Sequence, residues 1–387
     1  MEASVADERF TVNGSNELEA KLADNCRVTL TGVKKLIPEQ ALEGLLLAGG
    51  YGRGEGGVLK TDAGDKPYND MEFYVFVRGS AFLAERKFRH ALHELGEDLT
   101  PEAELEIEFK AITFNKLRKS PVNMFYYDLV MGHRWAMGDK SLLTGCEHHR
   151  DASKIPLHEA TRLLFNRCSG LLFSKARLKH NTFCQEDADF IGRNCAKVQL
   201  AMGDALLTAN GQYHWSCRER GNRLAALKDV LNGELMNKIR SHHNQGVKFK
   251  LYPERSQLSR EEISELHADL TALAGEVWLW IERKRLRANF RDAREYGVSG
   301  ANKCPETWGA RNRLVNAKAF GLKSAFGKMA SRYPRERLFN ALALMLWMDD
   351  SEKDRRLVST LQTNLCTKAE SFEDLVKAYE TMWHQFN

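Results

Sequence analysis

Asp70 and Glu72 are separated by one residue at the start of the run DMEFYVFV (70–77), whose aromatic and valine residues predict a β-strand. Residues two apart on a strand share a face, and at about 3.3 Å per residue their Cα atoms lie roughly 6.6 Å apart. Carboxylates at that spacing can converge on metal ions about 3.5–4 Å apart. Oxygen ligands favour Mg²⁺ or Mn²⁺, so the pair predicts part of a divalent-cation site.

A second acidic pattern lies in the segment AELEIEFKAITF (103–114), where acidic and apolar residues alternate. Such alternation predicts a β-strand with one acidic and one apolar face. The apolar face comprises Leu105, Ile107 and Phe109, and the acidic face comprises Glu104, Glu106 and Glu108. If this strand lies beside 70–77, carboxylates from both strands meet, and crowded like charges are costly unless cations neutralise them.

The segment EGLLLAGG (43–50) is a short apolar run that ends in two glycines, which predicts a buried strand. A strand that ends in Gly49 and Gly50 before a helix exposes backbone N–H groups to a phosphate, and glycine lets the phosphate approach the main chain closely. Arg53 is placed to pair with the same charge. The alternative is a flexible loop, above all over 54–57. A dinucleotide-binding turn is not favoured, because no βαβ unit with a terminal acidic residue follows.

The order of these elements resembles the polymerase-β-like nucleotidyltransferase superfamily. In that family a strand ends in Gly-Gly or Gly-Ser, an acid-x-acid pair starts the next strand, and a third strand supplies another acid. Here Gly49 and Gly50 match the glycine motif, and Asp70 and Glu72 match the acid pair in YNDMEFYVF. The later segment MGHRWAMGD also looks like the one that follows the catalytic strands in bacterial members.

The resemblance implies which residues hold which group. The third acid falls in LEIEFKAI, where Glu108 is preferred because it precedes the family-like FKAI, with Glu106 as the alternative. The family binds two Mg²⁺ ions and an NTP, transfers a nucleoside monophosphate to an acceptor hydroxyl and releases pyrophosphate. The implied metal ligands are Asp70, Glu72 and Glu108, and the implied triphosphate contacts are Gly49, Gly50 and Arg53.

Three features depart from the family pattern. Nineteen residues separate Gly50 from Asp70, more than is usual, so the insertion VLKTDAGDKP (58–67) is expected to be a longer loop over the nucleotide. The second acid is Glu72 where aspartate is commoner, although both residues bind Mg²⁺. Gly50 stands where the family often has a serine, so that hydroxyl contact comes from elsewhere or is absent.

The pattern of elements changes near residue 155, and the fold class expected is an α+β nucleotidyltransferase domain followed by an all-α helical bundle. The first part has a small mixed sheet with flanking helices. The predicted domains are 1–150 (nucleotidyltransferase), 151–298 (helical, substrate-binding) and 299–387 (C-terminal helical), with an internal joint at 297–310. Helices are expected over 186–209, 219–240 and 259–294, and GVKFKLYP (246–253) is expected to be a loop or short strand.

The charge of the chain is divided unevenly. Residues 1–150 carry 19 Lys and Arg against 24 Asp and Glu, a net charge of −5, so the remaining residues carry +10 of the total of +5. Acidic clusters hold metal ions and basic surfaces attract anions. The segment ERKRLRANFRDAR (282–294) is therefore a candidate nucleic-acid contact, and its alternative is a solvated helix face.

Composition favours a cytoplasmic protein that does not cross a membrane. The eight cysteines have irregular spacing and form no CxxC pair, which favours reduced thiols over disulfides or a zinc ribbon. Apolar runs such as ALALMLWM (341–348) are too short to span a bilayer. The acidic, polar start MEASVADERF does not have the pattern of a secretory signal.

The leading hypothesis is a Mg²⁺-dependent nucleotidyltransferase whose acceptor is a small molecule, a protein side chain or an RNA end. The first alternative is a non-catalytic nucleotide-binding or regulatory module on the same fold, kept open by the longer insertion and the missing serine. The second is an RNA-binding protein that uses the basic residues of 282–294.

Overall fold

The computed structural model describes residues 9–228, 230–327, 329–348 and 354–387. Residues 1–8, on which much of the secretory-signal prediction rests, lie outside this range. The chain is a mixed α+β protein in which helix predominates. It divides into two compact units: unit 1 contains the described residues up to Glu159 together with Leu207–Glu254, and unit 2 contains Ala160–Leu206 and Arg255–Asn387.

All six strands of the described residues lie in unit 1. They are β1 (Leu42–Leu47), β2 (Val58–Thr61), β3 (Gly64–Pro67), β4 (Met71–Val77), β5 (Ile107–Ile112) and β6 (Arg134–Met137). Four of them form a sheet in the order β5-β4-β1-β6, and β2 and β3 form a separate hairpin. β4 is parallel to β5 and antiparallel to β1, so β4 and β5 start at the same end of the sheet.

The helices of the described residues are also numbered in chain order. They are α1 (Asn16–Leu36), α2 (Gly49–Gly52), α3 (Ala81–Ala103), α4 (Phe114–Lys119), α5 (Met124–Met131), α6 (His158–Leu178), α7 (Gln185–Ala209), α8 (Cys217–Ala226), α9 (Gly233–Leu251), α10 (Arg260–Leu286), α11 (Ala293–Val298), α12 (Gly309–Phe320), α13 (Pro334–Leu346), α14 (Arg355–Leu365) and α15 (Phe372–Phe386).

Apolar side chains cover both faces of the four-stranded sheet, which explains why β1 and β4 read as nearly continuous apolar runs. On one face, Leu45, Phe73 and Val75 pack in a core with residues of α1 and α3. On the other, Tyr74 and Phe76 pack with residues of α4 and α5, and the rings of Phe76 and Phe114 stack at 3.9 Å between centroids. The sheet is therefore a buried scaffold whose strand ends are rigidly placed.

The insertion at 58–67 is a β-hairpin and not the loop that was expected. Lys60 and Asp65 are register partners, and their side chains form an ion pair of 2.8 Å. Gly64 has a φ of +110°, a conformation that side-chain-bearing residues rarely adopt. Cross-strand pairing and the turn at Gly64 thus stabilise this hairpin, although its sequence lacks the apolar alternation that is typical of a strand.

The segment 246–253 is the end of helix α9 for most of its length, and not a loop or a strand. Gly246 and Leu251 are among the buried residues of this helix, so packing along one face decides the conformation. The helix expected over 219–240 is two helices, α8 and α9. The structure assigns 207–254 to the unit that contains the sheet, where the sequence prediction had one helical domain over 151–298.

Unit 2 continues through residue 298, where a domain joint was expected. α11 packs against α13 at this point: a Cβ added to Gly297 would lie 2.7 Å from the side chain of Leu344. Tyr296 is fully buried and meets Trp278 edge to face at 5.8 Å. The glycine- and asparagine-rich residues that follow are thus a connection within one packed unit.

The basic segment 282–294 makes many contacts inside unit 2. Glu282 is fully buried and accepts two hydrogen bonds from Arg285, of 2.8 and 2.6 Å, and one of 2.9 Å from the Tyr296 hydroxyl. Arg283 donates to the backbone oxygen of Phe290 at 2.7 Å. These guanidinium groups stabilise the end of α10. Their contacts therefore favour a structural role for Arg283 and Arg285 over a contact with nucleic acid.

No helix in the described part of the chain combines the length and the apolar character that a membrane crossing requires. All eight cysteines are free thiols, and six of them are buried. The exposed ones are Cys184 and Cys366.

Candidate active site

The predicted acidic residues meet at one end of the sheet in unit 1. Glu72 on β4 and Glu108 on β5 are register partners on neighbouring parallel strands. Asp70 immediately precedes β4, and the backbone N–H of Met71 donates to the backbone oxygen of Glu106 at 2.9 Å. Strand pairing therefore brings together the carboxylates that the sequence placed on two separate segments.

The charge of these carboxylates shifts the pKa of their neighbours. Burial raises the pKa of Glu108, and Asp70, Glu106 and Glu72 raise it further, whereas Lys110 opposes the shift. Burial, together with the charges of the same site, also raises the pKa of the Tyr74 hydroxyl. This end of the sheet is a region of concentrated negative potential, where cations or protons are stabilised.

Glu108 and Glu106 differ in their position on β5. Glu108 is half-buried within the strand, and its Oε2 lies 3.9 Å from the Lys110 ammonium group. Glu106 precedes the first residue of the strand and is exposed. Of these two residues, Glu108 is therefore the one that strand pairing holds next to Glu72.

Replacing Glu108 with glutamine is expected to stabilise the protein at pH 7.5 and to leave its stability unchanged near pH 4. A carboxyl group whose pKa is raised in the folded state contributes stability below its unfolded-state pKa, with a model value of 4.5, and loses it as the pH rises through the folded-state pKa. Urea unfolding at the two pH values checks this sign. Equal midpoints for the variant and the wild type at pH 7.5 would show that the other carboxylates do not repel Glu108.

The turn formed by Gly49–Gly52, here called the glycine turn, lies directly beside Glu72. β1 ends at Leu47 and α2 begins at Gly49, which has a φ of +64°. A Cβ at this position would lie only 2.8 Å from Glu72 Oε1, so the turn needs glycine both for its conformation and for this close approach. The first N–H groups of α2 have no carbonyl partner within the helix, as at every helix N-terminus.

Arg53 is bound to the protein itself. Its Nε donates to the backbone oxygen of Gly49 at 2.9 Å, and a second guanidinium nitrogen donates to the backbone oxygen of Trp215 at 3.0 Å. The same nitrogen lies 3.5 Å from Asp128 Oδ2. These contacts hold the Arg53 guanidinium group against the turn, and its contact with triphosphate stays a prediction.

Glu55 is a residue of the glycine stretch whose role the sequence did not reveal. Its side chain is 3% exposed and accepts hydrogen bonds from Ser216 Oγ at 2.6 Å and from the backbone N–H of Cys217 at 2.8 Å. Burial disfavours its charge, but these hydrogen bonds outweigh burial and hold the pKa below its ordinary value. The carboxylate thus joins the turn to the N-terminus of α8, where the helix dipole favours a negative charge.

Lys250, near the end of α9, is a second residue that the sequence analysis missed. Burial lowers the pKa of its ammonium group, and the charge of Arg53 lowers it further, whereas Asp70 and Glu72 act in the opposite direction. A Cβ added to Gly57 would lie 3.3 Å from the Lys250 backbone oxygen. The site therefore includes a half-buried cation from a distant part of the sequence, within the same unit.

A cleft of about 440 Å³ borders the other side of the glycine turn, next to β6. It is rich in arginine, but these side chains are already engaged. Arg218 Nε lies 3.4 Å from Glu55 Oε1, and Arg134 donates to the Arg9 backbone oxygen at 2.8 Å and covers the Phe10 ring. Arg218 thus links the cleft to Glu55 of the glycine stretch.

Comparison of the chain with protein-family models, curated proteins and solved structures gives no match in any of the three.

The candidate ligands are of the chemical type that a hard divalent cation prefers. Carboxylate oxygens from Asp70, Glu72 and Glu108 are the ligands that Mg²⁺ and Mn²⁺ prefer. Among the described residues, however, no three His, Cys, Asp or Glu side chains are grouped closely enough to hold a metal ion. Glu72 Oε2 instead accepts a hydrogen bond of 3.2 Å from the Tyr74 hydroxyl. The residue types fit the ion, and the side chains would have to rotate to bind it.

Proposed function

We propose that this chain is a nucleotidyltransferase of the polymerase-β-like type, which transfers a nucleoside monophosphate from an NTP to an acceptor hydroxyl. One observation supports this above all others: Glu72 lies against Gly49 of the glycine turn and pairs in register with Glu108. A phosphate-binding turn, an acid pair and a third acid are thus combined at one end of a rigid sheet.

In the proposed reaction, the oxygen of the acceptor hydroxyl forms a bond to the α-phosphorus of the NTP. The bond from that phosphorus to the oxygen leading to the β-phosphate breaks, and pyrophosphate leaves with the electron pair. Glu108 accepts the hydroxyl proton, a task for which a raised pKa is favourable. The backbone N–H groups at Gly49 and Gly50 and the Lys250 ammonium group bind the triphosphate.

Asp70, Glu72 and Glu108 would hold two Mg²⁺ or Mn²⁺ ions, with Glu106 as the alternative third ligand. Such ions, when bound, neutralise phosphate charge and lower the pKa of a coordinated hydroxyl. The carboxylates would position the reactants by holding these ions at the start of β4 and β5. Most of the catalytic effect would come from positioning and charge neutralisation.

The second candidate is a nucleotide-binding or regulatory module without catalysis. It is favoured by the side-chain arrangement, since Glu72 is hydrogen-bonded to Tyr74 and the carboxylates are not grouped as metal ligands. Both candidates predict nucleotide binding, and only the enzyme predicts pyrophosphate release.

Calorimetric titration of the full chain with each NTP in the presence of Mg²⁺ tests the proposal directly. Saturable binding of at least one NTP is expected, and it should be lost when EDTA removes the cation. If none of the four NTPs binds, both the enzyme and the nucleotide-binding module are excluded.

Replacing Lys250 with alanine is expected to raise the Kd of the preferred NTP about tenfold, because a charge-assisted hydrogen bond contributes about 1.5 kcal/mol. Lys248→Ala is the matched control, since Lys248 is an exposed lysine on the same helix. The same titration measures both variants. Equal affinities for the two would remove Lys250 from the nucleotide site.

A further inference from the structure

A groove of about 930 Å³ lies between α3 and β5 and reaches the proposed third acid. Glu106, Ile107, Glu108 and Phe109 line one part of it, and residues of α3 line the rest. The whole groove belongs to unit 1. Its volume is within the range of pockets that hold metabolite-sized ligands, roughly 300–1,000 Å³.

Four α3 residues that can carry positive charge line the groove: Arg86, Arg89, His90 and His93. Their spacing of three, four and seven residues places them on one stripe of the helix. The stripe is exposed, and its ion pairs are with neighbours on the same helix, such as Arg89 with Glu85 at 2.5 Å and His93 with Glu97 at 3.7 Å. Exposed pairs of this kind are weak and exchange readily for a ligand.

The groove has a carboxylate end and a cationic end. The backbone N–H of Ile107 donates to Thr100 Oγ1 at 3.2 Å, which fixes the C-terminal part of α3 beside the start of β5. Glu97 therefore lies toward Glu108, and the arginines lie farther along the helix. Arg89 and Glu97 are eight positions apart, which is a rise of about 12 Å along α3 at 1.5 Å per residue.

We propose that this groove binds the acceptor, and that the acceptor carries a carboxylate or phosphate group remote from the hydroxyl that reacts. This inference rests on the proposed transferase function. The hydroxyl would lie at Glu108, which takes its proton when the oxygen bonds to the α-phosphorus and pyrophosphate leaves. The remote anion would pair with Arg86 and Arg89, which can bind carboxylate or phosphate through two hydrogen bonds.

The same arrangement disfavours a nucleic-acid strand as acceptor. A nucleic-acid strand carries a phosphate at every nucleotide. The carboxylates of Glu97 and Glu106 would repel the phosphates next to the reacting end. A single remote anion avoids this repulsion. Acidic peptides and phosphorylated small molecules both provide that chemistry.

The test uses transfer of label from α-labelled NTPs to matched acceptors. Two peptide pools contain a central Ser, Thr or Tyr in random uncharged sequence, with glutamate in one pool and lysine in the other placed four residues away, about 13 Å in an extended chain. The phosphate probe is tetra(ethylene glycol) monophosphate, compared with tetra(ethylene glycol). A single-stranded RNA oligonucleotide is the remaining acceptor.

The wild type is expected to label the glutamate pool or the glycol monophosphate at least tenfold more than its uncharged or lysine counterpart. Labelling of the glutamate pool would identify a carboxylate as the remote anion, and labelling of the glycol monophosphate would identify a phosphate. The double variant R86E/R89E should reverse the preference between the peptide pools. The control Lys87→Glu, on the same helix but outside the groove lining, should keep it.

Nucleotide binding, measured by calorimetry on each preparation, distinguishes failure of the acceptor proposal from failure of the proposed function. If the wild type binds an NTP but labels the charged and control acceptors equally, labels none of them, or prefers the RNA, the acceptor proposal is overturned and nucleotide binding stands. An unchanged preference in R86E/R89E overturns it as well. If the wild type binds no NTP, the proposed function itself fails.

Discussion

Replacing Asp70 with asparagine is expected to lower pyrophosphate release by about 10³-fold, or about 4 kcal/mol, while the protein remains folded. Asp70 immediately precedes β4. Its negative charge acts to raise the pKa of Glu108, Tyr74 and Lys250. Asparagine has nearly the same shape but no charge, so it would remove a cation ligand without opening a cavity. The assay is release of labelled pyrophosphate from γ-labelled NTPs in the presence of Mg²⁺ and a metabolite extract.

Asp62→Asn is the matched control, because Asp62 is an exposed carboxylate in the turn between β2 and β3. Mn²⁺ titration followed by electron paramagnetic resonance gives a second readout that needs no acceptor, and weaker Mn²⁺ binding is expected for Asp70→Asn alone. Pyrophosphate release equal to that of the wild type would exclude Asp70 from catalysis. Nucleotide binding by a wild type that never releases pyrophosphate would favour the non-catalytic module.

Replacing Gly52 with alanine is expected to destabilise unit 1 by about 3 kcal/mol. A Cβ at this position would lie 2.2 Å from the backbone oxygen of Leu47 and 2.7 Å from its carbonyl carbon. Backbone atoms of a buried strand cannot move aside as a flexible side chain can, so β1 or α2 must shift. The glycine turn would then lose its position relative to Glu72, and nucleotide affinity should fall with stability.

Hydrogen exchange of β1 peptides in increasing urea measures this effect in unit 1 separately from unit 2. Gly233→Ala is the control, since Gly233 is exposed at the start of α9 and an added Cβ would have no atom within 4 Å. That variant should be as stable as the wild type or slightly more so. Unchanged exchange in Gly52→Ala would contradict the close packing of the turn against β1.

The strands that hold the acidic residues were predictable because each shows its apolar pattern within its own segment. The run at 70–77 forms β4 almost completely, since its apolar residues serve both faces of a covered sheet. The third strand was predicted from 103, but it begins at Ile107. Helix α3 extends to Ala103, and Glu104 ends it in a left-handed conformation, so the first alternating residues form a turn.

The remaining parts of the site depend on contacts that the sequence pattern does not encode. Val247, Phe249 and Leu251 alternate with polar residues, as in a strand, but they belong to helix α9, where the Phe249 ring meets the distant Tyr68 ring edge to face. Lys250 was missed for this reason. Arg53 was expected to be available to phosphate because nothing in the sequence indicates that the backbone oxygen of Trp215 would accept its hydrogen bond.

The division of unit 1 between two stretches of chain determines the order in which the site can be completed during synthesis. The ribosome makes the glycine turn and all the candidate acids before Leu207, where the chain returns to this unit. Until Ser216 and Cys217 emerge, Glu55 is a carboxylate without the donors that make its burial tolerable. A nascent chain that ends before these residues therefore contains the acids but lacks the donors for Glu55, so the candidate site is completed only after residue 217 has been made.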